Sequence, residues 1–173
     1  MTPLNEQWKW EDVRFQINRH VNSYDVQLSF NQRPERELLA PGTLLYRLDF
    51  AVTFGIFMKT WWIKDPVFRR IFDRASPTPS SLRQEWQNTL ALSKPTKGKE
   101  GKFGGRTGEA STRTQVLVIQ IVQPAYAWVG SASPLFNKSG GEEQVYLPNL
   151  ARGTGPDRSE YARLFRTYAL PAI

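Results

Sequence analysis

Apolar residues recur along this chain with two spacings, which predict where helices and strands lie. Intervals of three and four residues predict amphipathic helices over residues 9–21, 65–75, 80–90 and 157–168. The third of these is expected to begin at Ser80 or Ser81, because Ser81 and Gln84 fit a capping box. Alternation of apolar and polar residues predicts strands over 24–30, 43–50 and 142–147. The nearly continuous apolar run at 115–122 and the aromatic stretch at 125–130 predict two more strands.

The order of these elements predicts an α+β fold. Helices dominate the first half after the leading strand and strands dominate the second, without the regular alternation of an α/β protein. A length of 173 residues suits a single domain. Residues 1–40 are expected to form a helix-and-strand extension packed on a core of residues 41–173. Residues 93–114 are rich in Gly, Lys and Thr without a hydrophobic period, which predicts a flexible basic insertion.

The composition excludes several classes of site and location. The chain has no Cys and one His, His20, so disulfides and the thiolate and histidine metal sites are excluded and no metal is expected. No apolar run approaches 18 residues, so no membrane span is expected. The first residues lack a basic and apolar leader, which predicts no signal peptide and synthesis in the cytoplasm.

The net charge of +7 raises nucleic acid as a possible partner. From Lys94 to Arg113, six basic residues face two acidic ones, so more than half of the excess charge lies in one Gly-rich segment. A mobile basic loop explains the charge as well as a nucleic-acid surface does. A non-enzymatic basic module that binds nucleic acid is therefore kept as an alternative.

Three sets of polar and aromatic residues could hold a ligand with phosphates, rings and a sugar. Arg47 lies in mid-strand, where its guanidinium could pair with phosphate, although a salt bridge to Asp49 or another acid would also explain it. Trp61 or Trp62 would offer a stacking face. Residues 142–144, Glu-Glu-Gln, lie where a Gly-rich loop becomes a strand, and a carboxamide or carboxylate there could bind ribose hydroxyls.

Two late segments carry a family resemblance. Residues 128–136 read Trp-Val-Gly-Ser-Ala-Ser-Pro-Leu-Phe, and residues 140–146 read Gly-Gly-Glu-Glu-Gln-Val-Tyr. Together they resemble the tuberculosis-necrotizing-toxin type of NAD glycohydrolase, within the ADP-ribosyltransferase-fold superfamily. Earlier in the chain, Leu45-Tyr46-Arg47 resembles the superfamily's first strand, whose Arg contacts the NAD pyrophosphate. Gly55-Ile56-Phe57 and Trp61-Trp62 resemble the segments that follow that strand.

The resemblance implies an ADP-ribosyltransferase-like split mixed β-sheet with flanking helices, and NAD or NADP as the substrate. It makes Gln144 the candidate catalytic residue, with Glu142 and Glu143 beside it. The candidate NAD-binding residues are Tyr46, Arg47, Phe57, Trp61, Trp62, Gly130, Ser131 and Phe136, of which Trp62 and Phe136 would also suit the core. Strand alternation places Glu142, Gln144 and Tyr146 on one face, and Glu143, Val145 and Leu147 on the other.

The implied activity is cleavage of the nicotinamide-ribose bond of NAD by a bacterial toxin or effector domain. A mono-ADP-ribosyltransferase toxin that modifies a macromolecular acceptor is the alternative, because the transferase branch usually has Glu where this chain has Gln144. The family also implies an inhibitory immunity protein and delivery into target cells by a specialised secretion system.

Overall fold

Seven strands form the central sheet of a computed structural model that describes residues 2–18, 21–49, 61–75, 78–90, 115–134, 138–148 and 165–169. The strands are β1 Phe15–Asn18, β2 Val21–Asp25, β3 Glu35–Leu39, β4 Leu44–Asp49, β5 Trp61–Lys64, β6 Gln115–Ile121, β7 Ala125–Ser131, β8 Glu143–Tyr146 and β9 Phe165–Ala169. The helices are α1 Trp10–Val13, α2 Asp65–Arg74, α3 Pro79–Thr89 and a short 3-10 helix, Val26–Ser29.

The sheet has the strand order β3-β7-β8-β5-β4-β6-β9, and its ladders are antiparallel, while β1 and β2 form a separate hairpin. The prediction of a single α+β domain is confirmed. A mixed sheet was expected, but the ladders between the described strands are antiparallel. Parallel pairing within the described residues is limited to an isolated bridge between Leu4 and Ala125. Strand β3 precedes residue 41 and forms an edge of this same sheet.

The sheet is strongly curved. Strands β6 and β7 are joined by three residues, 122–124, although they are four positions apart in the strand order. Four strand spacings in a flat sheet would span about 19 Å, whereas this connection spans at most about 14 Å. The two halves of the sheet therefore bend towards each other, which brings the end of β6 close to the start of β7.

Each face of the sheet carries a distinct part of the core. One face has a core to which both halves of the sheet contribute and no helix does, so it is the concave face; its buried residues are Leu39, Leu45, Trp62, Leu117, Ile119, Ile121, Ala127, Val129, Val145 and Leu147. On the opposite, helical face, α2 and α3 cover Tyr46, Leu48, Ile63, Val116 and Val118. Beside them, α1 and the 3-10 helix cover Trp128 and Tyr146. This separation follows from the period-two alternation of strand side chains.

Local chemistry sets the ends of α2 and α3. Helix α2 begins as predicted at Asp65, with proline in its first turn, and buries Val67 and Ile71. Helix α3 begins earlier than predicted, because Thr78 rather than Ser80 or Ser81 caps it: the Ser81 N–H donates to Thr78 Oγ1 over 3.2 Å.

The prediction of a helix over residues 9–21 is wrong beyond Val13. The Tyr146 hydroxyl donates to the Val13 carbonyl over 3.0 Å, and the Val26 N–H donates to the Arg14 carbonyl over 2.8 Å. These carbonyls would otherwise accept the hydrogen bonds of the next helical turn. The chain instead enters β1 at Phe15.

The predicted strand over residues 24–30 is also shorter than expected. It ends at Asp25, whose carboxylate accepts from the Gln27 N–H over 3.0 Å and starts the 3-10 helix. The Arg14 guanidinium, bonded to Asp25 over 2.8 Å, holds the pKa of that carboxyl below its ordinary value.

The prediction of a helix over residues 157–168 is wrong at its end, where β9 pairs with β6 instead. This segment is rich in strand-favouring residues, and its long-range pairing with the edge of β6 outweighs the helical spacing of its apolar residues. Residues 157–164, Phe57, Phe136 and the predicted insertion 93–114 lie outside the described residues.

The charge of the chain is unevenly distributed. The described residues contain twelve Lys and Arg and twelve Asp and Glu, so the net charge of +7 comes from the rest of the chain. Within the described ranges, no helix is both long enough and apolar enough to cross a membrane.

Candidate functional site

The two motif segments form adjacent strands of one hairpin. In the β7–β8 ladder, Gly130 pairs with Gln144 and Ser131 with Glu143. A Cβ at Gly130 would lie 3.0 Å from the Phe30 ring and 3.4 Å from Pro34. Because Gly130 has no side chain, Phe30 can pack against the β7–β8 hairpin at the ladder position that pairs with Gln144.

The turn that precedes β8 is tightly packed. Gly140 and Gly141 have φ angles of +62° and +95°, a region that glycine adopts without a side-chain penalty. A Cβ at Gly140 would lie 2.6 Å from the Ala132 carbonyl oxygen and 2.7 Å from that of Ser133. Gly140 is thus required both by its backbone angle and by the close approach of the two residues that follow β7.

The same turn is bonded to the carboxyl end of α3. The Gly140 N–H donates to the Asn88 carbonyl over 3.0 Å, and the Glu142 N–H donates to the Thr89 carbonyl over 3.2 Å. The last carbonyls of a helix have no partner within it, so the turn satisfies groups that would otherwise need water.

Gln144 is buried on the helical face, with 6% of its surface exposed. Its side-chain Nε2 donates to the Ser29 carbonyl over 2.6 Å. Ser133 reinforces the same contact, since its N–H donates to Ser29 O over 3.0 Å and its hydroxyl to Leu28 O over 2.7 Å. The 3-10 helix therefore covers the candidate catalytic residue.

Glu142 is held by two arginines of α2. Its carboxylate accepts from Arg70 over 2.9 Å and from Arg74 over 2.6 Å, and Arg74 also binds Glu85 of α3 over 2.7 Å. Burial alone would raise the pKa of Glu142, but the bonds from Arg70 and Arg74 outweigh it and lower the pKa below its ordinary value. Glu142 is therefore an ionised carboxylate, and both of its oxygens are bonded to arginines of α2.

Glu143 lies on the concave face, opposite Gln144. It pairs with Lys64 over 3.2 Å, and Lys64 also binds Glu37 over 2.7 Å. Burial would lower the pKa of Lys64, but the two carboxylates outweigh it and raise the pKa. Because Glu37 is on β3 and Lys64 on β5, this contact spans three strand positions and agrees with the curvature of the sheet.

Arg47 also belongs to the concave face. It alternates with Tyr46 and Leu48, which lie in the core of the helical face, and its Nη1 donates to the Trp61 carbonyl over 3.1 Å. The structure thus brings Arg47 to the same face as Glu143 and does not bring it to the face of Gln144.

The predicted aromatic residues have structural contacts of their own. The Tyr46 hydroxyl donates to Asp65 over 2.7 Å, and burial together with this bond raises its pKa to about 12. Its ring stacks on Phe68 with centroids 4.4 Å apart. Trp62 is 2% exposed in the concave core. Trp61 is partly buried and packs against Phe30 and Tyr146.

Sequence reasoning missed the residues that hold the site in place. Arg70 and Arg74 are four residues apart on a predicted helix, a spacing that indicates a shared surface for one acidic partner. Nothing in the sequence indicates the Ser29 carbonyl, because any residue has one. No group of three or more His, Cys, Asp or Glu in the described ranges is arranged to hold a metal ion.

Comparisons with known proteins add only a distant structural likeness. No family model and no curated protein matches the sequence. Rhs1-CT, solved in complex with its cognate immunity protein RhsI1, is 15% identical over 78% of this chain and 76% of that chain, with a TM-score of 0.43. Tne2, solved in complex with Tni2, is 16% identical over 82% of this chain and 95% of that chain, with a TM-score of 0.40. At these TM-scores the likeness assigns no activity.

Proposed function

We propose that this chain is an NAD-consuming toxin or effector domain that hydrolyses the nicotinamide-ribose bond of NAD. The supporting observation is the β7–β8 hairpin, in which the two segments of the motif become one unit. Gly130 faces Gln144 across the ladder, and Gly140 and Gly141 adopt positive φ angles just before it. Each of these glycines thus has a physical requirement of its own: close approach at Gly130 and Gly140, and the backbone angle at Gly140 and Gly141.

In the proposed reaction, the bond between ribose C1′ and the pyridinium nitrogen breaks and its electron pair stays with nicotinamide. Water adds to the resulting oxocarbenium-like C1′ and releases a proton, so the products are nicotinamide, ADP-ribose and H⁺. The protein would contribute positioning and electrostatics rather than a covalent nucleophile. The Gln144 carboxamide would hold the ribose hydroxyls.

Ribose binding at Gln144 requires a local rearrangement. The carboxamide now donates to Ser29 O, so it must exchange that carbonyl for a ribose hydroxyl as the 3-10 helix moves away. Arg47 lies on the other face, and the proposal therefore rests on Gln144 without assigning the pyrophosphate to Arg47. A domain of this kind would need an inhibitory immunity protein in the producing cell and a secretion system for delivery.

The test is release of nicotinamide from NAD by the purified chain, with Gln144→Ala as the diagnostic variant. Loss of one hydrogen-bond donor to the reacting ribose should lower turnover by about 100-fold or more. Gln123→Ala is the matched control, because Gln123 Nε2 also donates to a backbone carbonyl, that of Thr2, over 2.7 Å. Circular dichroism and the melting temperature would establish that both variants are folded.

The outcomes separate the candidate reactions and sites. Intact NAD in the presence of the folded wild type would refute the proposal. If NAD carries a label in its ADP-ribose part, label recovered on a macromolecule instead of in free ADP-ribose would identify the transferase. Activity that survives Gln144→Ala but is lost in Glu143→Gln would place the reaction on the concave face.

A further inference from the structure

A network of ion pairs connects α2, α3 and the turn before Gln144. Arg74 donates from Nη1 to Glu142 over 2.6 Å and from Nε to Glu85 over 2.7 Å, while Arg70 donates to the second oxygen of Glu142 over 2.9 Å. Two successive turns of α2 thus bind one carboxylate. Arg74 is the residue that touches all three elements.

The position of Glu142 makes these cations necessary. Its backbone N–H is bonded to the Thr89 carbonyl, at the carboxyl end of α3, where the helix dipole is negative. A carboxylate brought to that end of a helix is repelled unless cations offset the charge. The side chain of Glu142 is only 12% exposed, so water can screen it little and the guanidinium groups must supply the compensation.

We propose that Arg74, supported by Arg70, is a positioning residue that holds Gln144 in place through Glu142. Glu142 precedes Gln144 by two residues, which separates their Cα atoms by about 7 Å along the strand. A turn that detaches from α3 would therefore shift the start of β8 and the carboxamide with it. This inference rests on the proposed function, and it makes Glu142 a support of the site rather than a group that touches NAD.

The variants are Arg74→Gln, which removes the charge, and Arg74→Lys, which keeps it. Lysine offers a point charge in place of a planar fork, so it should bind one of the two carboxylates and restore part of the effect. Arg69→Gln is the matched control, because Arg69 is on the same helix and pairs with Asp65 by a side chain that is 74% exposed. Arg70→Gln serves as a second diagnostic variant that leaves the Arg74–Glu85 pair intact.

Two readouts are measured in every variant. Amide hydrogen exchange at Gly140 and Glu142 should accelerate about tenfold in Arg74→Gln, because their bonds to α3 open more often. The kcat for nicotinamide release should fall about ten- to a hundredfold while KM changes little, because misplacing a catalytic group weakens turnover more than binding. Arg74→Lys should recover part of both, and Arg69→Gln should match the wild type in both.

The two readouts fail independently. Unchanged exchange at Gly140 and Glu142 in both Arg74→Gln and Arg70→Gln would overturn the inference whatever the activity. Faster exchange with an unchanged kcat would overturn the positioning role. A folded wild type that releases no nicotinamide would refute the proposed function and the role in turnover together, while the exchange data would still decide whether Arg74 holds the turn.

Discussion

Replacing Gly140 by alanine tests the packing of the turn on which the candidate site depends. Gly140 has a φ of +62° and would place a Cβ 2.6 Å from the Ala132 carbonyl oxygen. Gly141, its neighbour, has a φ of +95°, but a Cβ there would meet nothing within 4 Å. The two glycines therefore separate the cost of the backbone angle from the cost of a steric overlap.

The magnitudes follow from these two contributions. The left-handed backbone costs alanine about 1–2 kcal/mol, which is the full expected effect of Gly141→Ala. Overlap with backbone atoms that cannot rotate away adds about 1–3 kcal/mol at Gly140. Gly140→Ala should thus lower the free energy of unfolding by about 2–5 kcal/mol, and the melting temperature by about 5–15 °C for a chain of this size.

Urea and thermal denaturation of the wild type and both alanine variants would measure these losses. Asparagine at the same positions refines the test, because asparagine tolerates the left-handed region but still carries a Cβ. Gly141→Asn should recover most of the stability and Gly140→Asn should not. Equal losses in the two alanine variants, or full recovery by Gly140→Asn, would refute the argument from close approach.

Three further predictions address the core and the ionised groups. Tyr46→Phe should lower the free energy of unfolding by about 1.5–3 kcal/mol, because it removes a hydrogen bond to the ionised Asp65. The pKa of Tyr46 is raised to about 12, so its contribution to the free energy of unfolding should be full below the ordinary pKa of tyrosine and disappear as the pH rises towards 12. An ultraviolet titration in which every tyrosine ionises at its ordinary pKa would contradict this. Leu45→Ala should cost about 2–5 kcal/mol in urea denaturation, because Leu45 is fully buried in the concave core, and a loss below about 1 kcal/mol would argue against that packing. The lowered pKa of Glu142 stabilises the fold above the ordinary carboxyl value, and this contribution is lost as the pH falls through the lower folded value; Glu142→Gln should therefore show a smaller loss of stability on acidification than the wild type, and identical pH profiles would count against the paired carboxylate.

Several elements could be predicted closely because their signals are local. The alternation over 43–50 and 142–147 contains β4 and β8, and the apolar run at 115–122 contains β6. The proline in the first turn of α2 located its start at Asp65. In each case the residues that determine the element lie within it, so no distant partner is needed to predict it.

Two of the failures have the opposite property. Helix α1 ends because Tyr146, 133 residues away, takes the Val13 carbonyl. Strand β9 forms because β6 offers an edge, although the spacing of its apolar residues fits a helix. Local periodicity contains no information about a partner from a distant part of the chain.

For the candidate site, the sequence determined which residues share a face of β8. Backbone geometry alone sends Gln144 and Tyr146 to one side and Val145 to the other, and the separate cores of Tyr146 and Val145 confirm these two faces. Tertiary structure decided what each face meets: Arg70 and Arg74 at Glu142, and the Ser29 carbonyl at Gln144. Alternation is a property of consecutive residues, whereas these contacts join side chains and carbonyls that only the packed sheet and helices bring within bonding distance.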